Sequence, residues 1–116
     1  MLTKEQEDIL QSASDDEMAD ATEKMLKETF DKDKYDVEVD NMDNMVVIEI
    51  IMKNTDFSSL KQDAIDSIAK EYGLDTKMDE LANNIYETWK ISGKEKRIIL
   101  GVTDDHSTVI YSTLGK

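Results

Sequence analysis

The stretch Met45 to Lys53, MVVIEIIMK, is the longest apolar run of the chain and decides its fold. Its even-numbered positions are all apolar, whereas its odd-numbered positions include two charged residues, Glu49 and Lys53. Because successive side chains of a strand point to opposite faces of a sheet, this pattern predicts a central strand with one buried and one partly covered face. We expect helices to cover the even-numbered face.

Strand patterns lie on both sides of this run. Residues 35–39 alternate apolar and acidic side chains, and the sequence DNMDN at 40–44 is rich in turn formers, which together predict a hairpin into the central strand. After it, residues 98–103 predict a third strand, DDHS at 104–107 a turn, and 108–114 a fourth strand. In the fourth strand we expect Val109, Tyr111 and Thr113 to share one face.

Helix signals fill the remaining segments. Capping boxes at residues 3–6 and 14–17 predict one broken helix or two consecutive helices up to residue 31, with residues 1–13 either frayed or an arm for a partner. A third capping box, Ser59 with Gln62, predicts a helix that ends at Gly73, with Asp56 as a competing start. The last helix is expected to start at Asp75 or Thr76 and to end at Ser92.

These elements predict a single acidic α+β domain over residues 1–116, with the order α-β-β-α-α-β-β. The simplest architecture is a four-stranded, mainly antiparallel sheet with helices packed on one face. A chain of 116 residues is long enough for one hydrophobic core and too short for two.

Composition excludes several classes of protein. The chain has no cysteine, so disulfides, zinc-thiolate sites and cysteine nucleophiles are absent. No apolar stretch approaches the roughly 18 residues of a membrane span, and no signal-peptide pattern occurs, so we expect no membrane insertion. The localisation is therefore unknown: the chain as given favours the cytoplasm, and a signal removed upstream of Met1 would make it an exported protein.

The net charge of −13 is unevenly distributed. Residues 1–44 contain fifteen acidic and five basic residues, a net charge of −10, while residues 45–116 contain twelve and nine, a net charge of −3. Such a negative field repels nucleic acid and anionic membranes and attracts basic proteins. We therefore expect a basic protein partner and no nucleic acid.

No complete catalytic or metal-binding motif occurs in the sequence. A calcium loop starting at Asp31 fails, because its sixth position is Asp36 instead of glycine and its twelfth is Met42 instead of glutamate. Asp104 and Asp105 beside His106, the one histidine, have the chemistry of a metal site or a general base, but four polar residues between two strands are typical of a turn. We predict no catalytic residue, no metal ligand, no cofactor and no enzymatic activity.

A basic cluster, residues 90–97, spans the end of the last predicted helix and the start of the next strand, beside Trp89. It contains Lys90, Lys94, Lys96 and Arg97. An anion site at this corner is one interpretation, but lysines in a last helical turn more often complement the helix dipole.

Two groups of residues are candidates for partner binding. Asp16, Asp20 and Glu23 follow one another at helical steps of four and three, which places a row of carboxylates opposite the apolar stripe that starts at Met18. A merely solvated helix face has the same pattern. The second group, Met45, Val47 and Ile51, makes the odd-numbered face of the central strand more apolar than an exposed sheet needs, so a partner or a second copy in a homodimer would cover it.

These observations favour a non-enzymatic acidic protein-binding domain. One form of it is an inhibitor or immunity protein that neutralises a basic, nucleic-acid-handling partner by charge. The alternative is an exported or lipoprotein-type module of the cell surface, with a ligand-binding or structural role, whose charge serves solubility alone. An enzyme that uses His106 is the third hypothesis, and no further motif supports it.

Overall fold

The computed structural model describes residues 3–115 as four α-helices and one four-stranded sheet. Along the chain the elements are α1 (Lys4–Ser12), α2 (Asp15–Thr29), β1 (Tyr35–Asn41), β2 (Met45–Met52), α3 (Gln62–Glu71), α4 (Leu74–Ile91), β3 (Arg97–Asp104) and β4 (Val109–Gly115). The predicted α+β class and element order are confirmed, with the N-terminal helical segment divided into two helices. Within residues 3–115, no helix combines the length and the apolar character needed to cross a bilayer.

The strands lie in the order β1-β2-β3-β4, so MVVIEIIMK is an interior strand as predicted. The pairings β1–β2 and β3–β4 are antiparallel, whereas β2 and β3 are parallel. The parallel pair follows from α4, because its 18 residues span about 27 Å at 1.5 Å per residue. That length returns the chain to the edge where β2 began, and Arg97 there pairs with Met45.

The face of the sheet that packs against the helices, called here the helix face, carries the core. Val46, Ile48 and Ile50 of β2 are at most 1% exposed, and α2 lies against β1 while α4 lies against β3 and β4. At Gly115 any Cβ atom would overlap the backbone of Ala82, so glycine allows α4 to approach β4. The prediction that helices cover the even-numbered face is confirmed.

A buried hydrogen bond joins α2 to α4. The indole Nε1 of Trp89, a fully buried residue, donates to Thr22 Oγ1 over 3.1 Å. Thr22 in turn donates to the carbonyl oxygen of Met18. Met25 has the helical spacing from Met18 that predicts a place on the buried stripe of α2, and this prediction is wrong, since Met25 is 39% exposed. The helix is turned so that Thr22 faces inward, because a buried indole N–H needs an acceptor.

The helix boundaries confirm part of the capping predictions. Thr3 and Ser14 both form capping boxes, and Ser92, where the sequence predicted the end of the last helix, is the C-cap of α4. The Ser59 capping box is wrong, because α3 begins after Lys61, which forms no side-chain cap. The last helix begins at Leu74, before the predicted Asp75, and follows Gly73 directly.

The first helix is peripheral. None of its described residues is buried, and it contacts α4, where Gln11 Nε2 donates to the carbonyl oxygen of Ile91 over 3.4 Å. Leu10 packs against the core from this side. The proposed arm, residues 1–13, includes Met1 and Leu2, which lie outside the described residues.

A β-bulge in β4 corrects the predicted faces of that strand. Tyr111 pairs with Val102 and Val109 pairs with Thr103, which leaves Ile110 as the extra residue. Ile110 is 3% exposed, and Val109 is 53% exposed. The expectation that Val109 and Tyr111 share a face is therefore wrong, because the bulge reverses the alternation between them.

Candidate functional site

The side of the sheet opposite the helices, called here the open face, contains the odd-numbered residues of β2 and β3 and the outer-strand residues in register with them. Met45, Val47 and Ile51 all lie on it and are half-buried. Each is shielded only by its neighbours in the sheet, because the helices pack on the other side. The structure thus places these three candidate residues on one surface.

Two apolar rows cross the open face. In the first, Val47 pairs with Ile99, and Ile99 pairs with Leu114, which is 45% exposed. In the second, Ile51 pairs with Thr103, and Thr103 pairs with Val109. The alternating pattern of residues 97–103 is sufficient to predict that Ile99 lies on the open face. The position of Val109 on this face could not be predicted in the same way, because it results from the β-bulge in β4.

Between the apolar rows lies a row of small residues. Gly101 pairs with Ser112 there, so the two strands on this side form a shallow depression. A Cβ atom on Gly101 would meet nothing nearer than the carbonyl oxygen of Tyr111 at 3.9 Å. Packing inside the chain therefore does not demand a glycine at this position, and the depression remains available for contact.

Carboxylates border the apolar rows on the β1 side. Asp36, Glu38 and Asp40 are exposed on the same face, and Glu38 lies directly opposite Glu49 of β2. Like charges at directly opposed positions of an antiparallel pair destabilise a sheet. Sequence alternation predicted the acidic side of β1 but not this pairing, which depends on the register of the hairpin.

In the described part of the chain, cations lie only near the ends of the open face. Lys53 Nζ is 3.5 Å from Asp36 Oδ1, and Arg97 is exposed beside Met45 at the other end. Among residues 3–115, no basic side chain forms an ion pair with Glu38 or Glu49. The centre of the acidic border is thus left uncompensated by these residues.

The carboxylate row of α2 lies elsewhere. Asp16 and Asp20 are exposed, and Glu23 is half-buried with its Oε1 3.7 Å from Lys27 Nζ. Because the inner side of α2 packs against the helix face of β1, this row points away from the open face. The structure therefore does not bring the two groups of candidate partner-binding residues together.

The DDHS segment forms a turn, as predicted, and Asp104 is buried at its start. The Asp104 carboxylate accepts hydrogen bonds from the backbone N–H groups of Phe57, His106 and Thr108, at 2.6, 2.9 and 2.7 Å. Burial raises the pKa of Asp104, but these hydrogen bonds outweigh it and hold the pKa below its ordinary value. No pattern in the sequence distinguishes this buried anchor from an ordinary turn aspartate.

Two further residues of the turn, Asp105 and His106, contact the loop after β2. The Asp105 carboxylate accepts a hydrogen bond from the backbone N–H of Asn54, and His106 Nε2 lies 3.5 Å from Asp56 Oδ2. Hydrogen bonds from Ser58 lower the pKa of Asp56. Within residues 3–115, no group of three or more histidine, cysteine or acidic side chains is arranged to hold a metal ion.

The basic cluster contributes one buried side chain, Lys96. Its ammonium donates to Asp15 Oδ2, Asn41 Oδ1 and the carbonyl oxygen of Met42, at 2.7, 2.7 and 2.8 Å, and lies 5.5 Å from the ring centre of Trp89. An ammonium group has three protons, and all three are used here. Lys96 therefore joins α2, the hairpin turn and α4 and has no donor left for an external anion.

Comparisons of this chain with protein-family models, with curated proteins and with solved structures find no match. Among the described residues, the open face combines apolar rows with the Glu38–Glu49 pair, which no cation compensates. It is therefore the strongest candidate for a binding surface.

Proposed function

We propose that this chain is a non-enzymatic domain that binds a basic protein through its open face, as an inhibitor or immunity protein would. The observation that carries this proposal is the Glu38–Glu49 pair, two carboxylates in direct opposition with no described cation between them, beside an apolar surface.

Like charges in register cost the free chain stability. A lysine or arginine side chain of a partner, placed between Glu38 and Glu49, would remove that repulsion and form charge-assisted hydrogen bonds. The carboxylates therefore give a reason for affinity and for selection of a basic partner over a neutral one.

The apolar rows supply the second half of the interface. Protein interfaces have an apolar centre and a polar rim, and burial of apolar surface provides most of the favourable free energy. Val47, Ile99 and Leu114 form such a centre, with the acidic residues of β1 along one side.

Charge distinguishes a basic partner from a second copy of the chain. A two-fold dimer would bring the same acidic surface of two copies together, and each chain has a net charge of −13. A basic protein instead gains from long-range attraction, which accelerates association and weakens as salt is added. The proposal therefore favours a heterologous complex over the homodimer.

The test is affinity capture with three immobilised forms of the chain, followed by mass spectrometry. The forms are the wild type, Val47→Lys on the open face, and Asp20→Lys on α2. The last variant controls for the general effect of reducing the negative charge of the chain. We expect a basic protein that the wild type and Asp20→Lys retain, that Val47→Lys loses, and that elutes with increasing salt.

Circular dichroism must show that Val47→Lys is folded, and the half-exposed position allows its ammonium to reach water. Retention by Val47→Lys with loss by Asp20→Lys would move the interface to α2. Retention by all three forms at high salt would contradict the proposal.

A further inference from the structure

A cavity of about 550 Å³ opens on the helix face at the end where β2 and β3 finish. Ile50, Val102 and Ile110, one from each of three strands, lie at its base and are only 1–3% exposed. The helix α2 packs on β1, and α4 packs on β3 and β4. The Thr22–Trp89 hydrogen bond joins the middle of α2 to the last turn of α4. Beyond that contact, the space above β2 stays open.

Aromatic side chains form the two long walls. Phe30 and Tyr35 lie on the α2 side, with ring centres 5.5 Å apart and an interplanar angle of 68°. Tyr72 and Leu74 lie on the opposite side, at the corner between α3 and α4. Tyr72 is 65% exposed, so this wall is also the rim of the opening.

The third wall, with Phe57, is fixed by the loop after β2. The Phe57 backbone N–H donates to the buried carboxylate of Asp104, and the Asp105 N–H donates to the carbonyl oxygen of Thr55 over 3.1 Å. These bonds attach the loop to the end of β3. These bonds hold the Phe57 wall in place without any contribution from a ligand.

Most residues that line the cavity are apolar, with Thr55 and two tyrosines adding polar groups. Among the described lining residues, one is charged, Lys77. Its ammonium forms no ion pair with any residue of the range 3–115. In a chain of net charge −13, an unpaired cation at a mostly apolar cavity is complementary to a ligand that has an apolar body and one anionic group. The volume lies within the roughly 300–1,000 Å³ of ligand pockets.

We infer that this cavity binds a medium-chain fatty acid, with the carboxylate at Lys77 and the hydrocarbon chain between the aromatic walls over Ile50 and Val102. The site lies on the face of the sheet opposite the proposed protein interface. Failure of either proposal therefore leaves the other intact.

The test is isothermal titration calorimetry with decanoate and 1-decanol, both below their aggregation limits. We expect one decanoate per wild-type chain. Lys77→Met should weaken decanoate binding about three- to fivefold, the size of an exposed ion pair, without changing decanol binding. The matched control is Lys70→Met on the exposed side of α3, which should change neither affinity.

A second variant tests the location. Ile68 is a half-buried wall residue, so Ile68→Trp should fill the cavity and abolish binding of both ligands. If circular dichroism shows that this variant fails to fold, methyl NMR of the wild type replaces it, and decanoate should shift the Ile50, Val102 and Ile110 signals.

Three results would overturn the inference. The first is no binding of either ligand by the wild type, and the second is equal loss of decanoate affinity in Lys77→Met and Lys70→Met. The third is a set of ligand-induced shifts at Val47 and Ile51, which would place the ligand on the open face.

Discussion

The two faces of the sheet differ in whether their charged side chains have partners within the described residues. On the helix face, the Asp104 carboxylate accepts three backbone hydrogen bonds and the Lys96 ammonium donates to three acceptors. On the open face, Glu38 and Glu49 face each other with no described cation between them.

This difference shows which charges the fold uses. A buried charge without partners costs roughly several kcal/mol, and the two charged residues that are buried among those described, Lys96 and Asp104, are both held by hydrogen bonds. An exposed like-charge pair costs far less and contributes nothing to folding. The open face therefore retains features that stability does not explain, which is why we assign the interface to it.

The largest expected contrast comes from one residue type on the two faces. Ile48→Ala on the helix face should lower the free energy of unfolding by about 2–5 kcal/mol, because Ile48 is fully enclosed and a cavity remains. Ile51→Ala on the open face should lower it by about 1 kcal/mol or less, since that side chain is half-exposed. Urea unfolding measures both, and equal losses would contradict the distinction between the faces.

Asp104→Asn tests the buried anchor. At pH 7 we expect a loss of about 1–3 kcal/mol, because the amide group cannot accept all three backbone hydrogen bonds. The pKa of Asp104 is lowered in the folded state, so its stabilisation is complete above the unfolded carboxyl pKa of about 3.9 and is lost as the pH falls through the folded pKa.

Thermal unfolding from pH 7 to pH 2 should therefore show the wild type and Asp104→Asn converging at the acidic end. A difference that stays constant over this range would refute the role of the ionised carboxylate. Asp105→Asn is the control, since Asp105 is exposed and accepts one hydrogen bond from Asn54.

A smaller loss is expected at Lys96. Lys96→Met keeps the apolar stem over Trp89 but leaves Asn41 Oδ1 and the Met42 carbonyl without their donor, which should cost about 1–2 kcal/mol. Lys90→Met, at an exposed position, should change stability by less than about 0.5 kcal/mol. Guanidinium unfolding of the two variants provides the comparison, and equal midpoints would mean that the three contacts of Lys96 contribute nothing.

Sequence periodicity predicted the helix face well because burial there is decided by side-chain type. Val46, Ile48 and Ile50 are spaced two residues apart, as expected for one face of a strand, and this spacing is sufficient to identify the buried face of β2. The parallel pairing of β2 with β3 could not be predicted from this periodicity, because it depends on the edge of the sheet at which the chain arrives after α4. Thr22 was missed because a polar residue gives no burial signal unless its partner, here Trp89, is known.

The open face was only partly predictable, for the same reason. Met45, Val47 and Ile51 follow from alternation within one strand. The Glu38–Glu49 opposition depends on hairpin register, and the exposure of Val109 depends on a bulge next to Thr103. Local periodicity contains neither piece of information, so the border of the candidate interface became visible only in the sheet.

The most direct test of the central claim, that the carboxylates of the open face do not serve the fold, is the free energy of unfolding of Glu38→Lys. Replacement of a like-charge pair by an opposite-charge pair with Glu49 should raise this free energy by about 0.2–1 kcal/mol. Asp20→Lys, which makes the same change of net charge on α2, controls for the general reduction of negative charge. A gain for Glu38→Lys above that control is the predicted result, and a loss would show that Glu38 stabilises the folded chain and contradict the claim.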